Sequence, residues 1–157
     1  MKNYISPTTN ESLVRLLVPT SGLLASVYFL LSASYLLSLS SLLISVVFFW
    51  KSKHNLILLN TKYPPSKTNF HNCKNAAIIY GWHTVSEIDM VKLEFETNAS
   101  LSSWGELITV LFTSSGILVN SRPSPLRRPS LITMGRNKNN LQKLIATLED
   151  NTHSLPD

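Results

Sequence analysis

Side chains able to ligate a metal or carry a proton are few in this sequence and widely separated. His71 and Cys73 lie two residues apart with His83 further on, a trio that would bring three ligands to zinc. The spacing matches no closed structural zinc site, and no fourth ligand is evident. Glu94 and Glu96 share one side of an alternating segment and suggest paired carboxylates, but with Lys92 beside them they read as a solvated strand surface. The serines have no nucleophile-elbow context and no partnering histidine and acid. Only 5 glycines are spread along the chain, so no glycine-rich phosphate loop can be built. These residues argue against an enzyme, a cofactor and a metal centre.

Basic residues carry more information. The 157 residues hold 14 Lys and Arg against 9 Asp and Glu, a net charge of +5. From Leu107 to Leu148 there is no acid, while Arg122, Arg127, Arg128, Arg136, Lys138 and Lys143 are present. Such a cluster suits anionic headgroups or an acidic protein, at about 1 kcal/mol per cation near a charged membrane. Nucleic acid is disfavoured because no aromatic residues interleave with this basic stretch. The single cysteine, Cys73, excludes an internal disulfide and reads as a packing residue.

The elements that must position these residues begin with a long apolar run. Between Arg15 and Lys51 there is no charged residue. As one helix the run would be roughly 50 Å long at about 1.5 Å per residue, against a bilayer core of about 30 Å. Two helices, about Ser12 to Leu31 and Tyr35 to Trp50, joined by a turn at Ser32-Ala33-Ser34, accommodate it as a transmembrane hairpin, with Pro19 in the first turns. One tilted span over about Leu23 to Trp50, or a signal peptide ending at Ser34, are the rivals. Lys2 and Arg15 precede the run, and Lys51, Lys53, His54 and Lys62 follow it. Both flanks are positive, which predicts both termini on the cytoplasmic side.

After Asn55 the pattern changes to short β-branched and aromatic runs separated by turn residues. Strands are predicted at "NLILL" (Asn55 to Leu59), "AAIIYGWHTV" (Ala76 to Val85), "DMVKLEFE" (Asp89 to Glu96), "ELITVLFT" (Glu106 to Thr113), "GILVNS" (Gly116 to Ser121) and "PSLITM" (Pro129 to Met134). Ser114-Ser115 followed by Gly116 predicts a hairpin. Asn60 to Asn75, with Pro64-Pro65, reads as a linker or loop, and "SRPSPLRRP" as a stiff, extended basic loop. Leu141, Leu144, Ile145 and Leu148 fall on one face of a final helix. The predicted fold class is α+β: residues 1–53 as N-terminus and transmembrane hairpin, 54–150 as a small antiparallel β domain closed by one C-terminal amphipathic helix, and 151–157 as a flexible tail.

The order of parts resembles the YgfX (CptA) family of small bacterial inner-membrane proteins: a membrane hairpin, a basic exit, a β domain with "SSWGELITVLF", the strand "RRPSLITM" and the helix "LQKLIATLED". The resemblance implies the membrane-bound toxin component of a toxin–antitoxin pair, a non-enzymatic inhibitor of tubulin-like and actin-like cytoskeletal polymers acting from the inner membrane. It also implies a link to the small flavinylation factor of succinate dehydrogenase. Two departures stand out. Gly135-Arg136-Asn137-Lys138 occupies the place of an acidic residue before the last helix, and "RPSPLRRP" is inserted. On this reading Trp104, Arg122, Arg127, Arg128, Arg136 and Lys138 form the candidate partner or lipid surface. A pleckstrin-like membrane scaffold or lipid-binding module is the alternative, since six or seven strands capped by one C-terminal helix would suit that fold too.

Overall fold

The computed structural model describes residues 3–99, 104–125 and 135–150. The chain divides into two units: Ile5–Leu56, and the remainder, in which the N-terminal residues Asn3 and Tyr4 join the part of the chain after Ile57.

The first unit is an antiparallel pair of apolar helices, α1 (Thr9–Leu31) and α2 (Tyr35–His54). The turn falls at residues 32–34, as the hydroxyl-rich break predicts, with Ala33 in the left-handed region at φ 55°. Thr8 caps α1: its Oγ1 accepts from the Glu11 amide at 3.3 Å, while the Thr8 amide donates to Glu11 Oε2 at 2.7 Å. The helix therefore starts earlier than expected, and Pro19 sits in its interior rather than in its first turns. Proline cannot donate to the Arg15 carbonyl and crowds that turn. Neighbouring hydroxyls cover the weakened ladder: Thr20 Oγ1 donates to the carbonyls of Leu16 (2.8 Å) and Leu17 (3.0 Å), and Ser21 Oγ to that of Val18 (2.9 Å).

Small residues join the two helices. Ser26 and Ser38 bond reciprocally, each hydroxyl reaching the other's carbonyl, at 3.0 and 2.8 Å. Ser45 Oγ donates to the Pro19 carbonyl at 2.7 Å. A Cβ on Gly22 would lie 3.0 Å from Ser45 Cβ, so glycine is what lets the backbones approach. The outward positions are large and apolar: Leu24, Leu31, Leu36 and Ile44 are among the most exposed large apolar side chains of the described residues.

The second unit is a six-stranded sheet of order β1-β2-β6-β5-β4-β3, antiparallel throughout. Its strands are β1 (Asn3–Tyr4), β2 (Ile57–Asn60), β3 (His83–Ile88), β4 (Lys92–Glu96), β5 (Glu106–Thr113) and β6 (Gly116–Pro123). The β5–β6 hairpin turns at Ser114-Ser115, with Gly116 at φ +127° as its position requires. β1 was not foreseen: two residues carry too little pattern to be read as a strand.

The region expected to be a linker contains a helix, α3 (Lys67–Ile79), which also absorbs the start of a predicted strand at Ala76. Ser66 caps it by accepting from the Asn69 amide at 3.1 Å. Its buried face is Phe70, Cys73, Ala76 and Ala77, a helical spacing whose small residues resemble neither a helix stripe nor a strand at first reading. The final helix, α4 (Arg136–Asp150), buries Leu144 and Leu148 completely, with Leu141 and Ile145 flanking, as predicted. Both helices pack on one sheet face, against Leu93, Phe95, Ile108, Val110, Ile117 and Val119. The expected strand at Pro129 to Met134, most of the basic loop and the 151–157 tail lie outside the described residues.

Candidate functional site

The predicted surface residues separate in the structure. Trp104 is half exposed, two residues before β5 begins. Arg136 opens α4 and Lys138 is exposed in its first turn. Arg127 and Arg128 lie outside the described residues. Arg122, expected on an exposed surface, is only 3% exposed. Its Nη1 donates to Thr109 Oγ1 at 3.1 Å and to Asn120 Oδ1 at 3.3 Å. Thr109 stands opposite Glu94 on one side and Asn120 on the other, and Thr109 Oγ1 donates to Glu94 Oε1 at 3.5 Å. A polar ladder, Glu94-Thr109-Asn120 with Arg122, thus crosses three strands on the face away from the core. Glu94 belongs to it and also accepts from Lys92 at 3.1 Å, so it is not the solvated surface residue that alternation suggests.

On the core face the centre of the site is Glu106, the first residue of β5. It is fully buried. Thr97 locks it twice: the Glu106 amide donates to Thr97 Oγ1 at 2.9 Å, and that hydroxyl donates to Glu106 Oε2 at 2.6 Å. The same Oε2 lies 3.6 Å from Arg136 Nε and accepts from Asn140 Nδ2 at 3.5 Å. Asn140 also reaches Ser121 Oγ at 3.4 Å, and Ser121 Oγ donates to Asn137 Oδ1 at 3.3 Å. One carboxylate therefore holds the first turns of α4 to the starting edge of β5 and the end of β6. Negative charge at a helix N-terminus is favoured by the helix dipole. Glu106 Oε1 has no hydrogen-bond partner among the described residues. Its inward direction was readable, since Glu106 is in phase with Ile108, Val110 and Phe112, but charge on a core-facing position argues against that phase.

Near this clip in the chain stand the half-exposed ring of Trp104, the partly exposed Arg136 and the exposed Lys138. Among the described residues no three of His, Cys, Asp and Glu converge on a metal-sized site. His83 instead pairs Nε2 with Asn98 Oδ1 at 2.9 Å. Cys73 is fully buried, and burial pushes its thiol from 9.0 up to about 12. A thiol so placed is a packing group and not a nucleophile.

Comparison with protein-family models, curated proteins and solved structures finds no match.

Proposed function

We propose that the chain is a two-span membrane protein that carries a basic, non-enzymatic binding module on the cytoplasmic side. The observation that carries this is the placement of the helix pair in the chain: it is inserted between β1 and β2, which pair with each other through Asn3–Leu58 and Tyr4–Ile57. Both ends of the hairpin return to adjacent strands, which suits two crossings and not one. The helices, 23 and 20 residues long, suit a core of about 30 Å. Their exposed leucines favour lipid over water. Lys51, Lys53 and His54 in the last turn of α2 support a cytoplasmic placement of that end.

The module binds through Trp104, Arg136 and Lys138, and its partner class follows the resemblance: a tubulin-like or actin-like polymer whose assembly it blocks from the membrane. The test is overproduction of the full chain with cell-shape microscopy, alongside co-pelleting of the nanodisc-embedded chain with each polymer. Loss of rod shape, abolished by Trp104→Ala with Arg136→Ala at equal protein level, is the expected result. Normal rods together with no co-pelleting would sink the partner assignment.

A further inference from the structure

We propose that the hairpin holds one anionic glycerophospholipid, with an acyl chain in the groove between α1 and α2 and the phosphate on Arg15. The proposal rests on the reading of α1 and α2 as membrane spans. The groove has a volume of about 310 Å³ and nearly wholly apolar walls, formed by Arg15, Pro19 and Leu23 of α1 and by Ser45, Val46 and Phe49 of α2.

Arg15 is the feature that selects the occupant. It is the one charged residue between Glu11 and Lys51. Its Nε is buried and has no hydrogen-bond partner among the described residues. The acid one turn earlier, Glu11, is engaged in capping, its Oε2 accepting from the Thr8 amide. A buried guanidinium donor left without an acceptor is costly, and the planar fork of arginine fits a phosphate through two parallel bonds. Arg15 lies about 9 Å along α1 from Thr9, at about 1.5 Å per residue, within reach of the headgroup layer for a side chain that extends toward the interface. A free phosphate would satisfy Arg15 and leave the apolar groove unfilled, whereas a phospholipid accounts for both.

The experiment uses the full chain reconstituted in phosphatidylcholine vesicles with trace spin-labelled phosphatidylglycerol or phosphatidylcholine, reading the motionally restricted fraction by electron paramagnetic resonance. Phosphatidylglycerol is expected to be preferred about fivefold, the factor that one cation supplies near an anionic headgroup. Arg15→Gln should bring the preference to parity and Arg15→Lys should keep part of it. Val46→Trp, which fills the groove and leaves the charge, should lower it as well. Parity in the unaltered chain, or a preference that survives Arg15→Gln, overturns the proposal, as does a preference abolished by excess inorganic phosphate. Alkaline carbonate washing separates the two levels: a chain that stays in the vesicles at parity defeats the lipid site alone, and a chain that washes off defeats the spanning reading and the site with it.

Discussion

Cys73 shows how little the identity of a residue says without its surroundings. In the sequence it stands two positions from a histidine, and in the fold its thiol is sealed among Phe70, Ala76 and the sheet. Its raised ionisation constant gives a pH signature with a definite sign. The folded thiol stays protonated up to about pH 12, while the unfolded one ionises near its ordinary 9.0. The stabilisation is therefore complete below pH 9 and is lost between about pH 9 and 12, by up to about 1.4 kcal/mol per pH unit. Unfolding of the full chain in detergent should show this alkaline decline, and Cys73→Ala, although less stable at neutral pH, should flatten it. The same decline in both proteins would refute the assignment. Other residues were less open to sequence reading. The burial of Arg122 and the partial burial of Glu94 depend on cross-strand neighbours that only the register brings together, and one strand read alone cannot supply them.

At the scale of elements, the Glu106 clip is what attaches α4 by its first turn, while Leu144 and Leu148 attach the rest. Removing the buried carboxylate takes one acceptor from each of Thr97 and Asn140 and removes the Glu106–Arg136 ion pair. Glu106→Ala should therefore lower stability by about 2–4 kcal/mol. Glu106→Gln keeps the Thr97 bond and should cost less, about 1–2 kcal/mol. Amide hydrogen exchange should rise at residues 136–141 in both variants before it rises in β5. If exchange in α4 stays unchanged while global stability falls, the carboxylate holds the sheet and not the helix.

The helix pair, its turn, the β5–β6 hairpin and the inner face of α4 were legible because each repeats a strong period or bears a turn residue where one is needed. α3 was not, because a helix whose buried face is alanine and cysteine offers almost no hydrophobic contrast, and Pro64-Pro65 ahead of it reads as linker when it is the approach to the Ser66 cap. The start of α1 was set too late because the capping pair Thr8 and Glu11 lies outside the apolar run that drew attention. The Glu106 clip combines residues from four separate segments, and no local spacing announces it.

At the scale of the whole molecule, the central claim is that the helix pair crosses a bilayer twice and returns the chain to the side on which the sheet lies. Cysteine labelling tests it directly, and the burial and high ionisation constant of Cys73 leave the native thiol silent to a maleimide at neutral pH. Ser32→Cys marks the turn between α1 and α2, and Ser114→Cys marks the exposed β5–β6 turn. In sealed cells a membrane-impermeant maleimide is predicted to label Ser32→Cys from outside and to label Ser114→Cys only after permeabilisation. Equal labelling of both positions from the same side would contradict the two-span account.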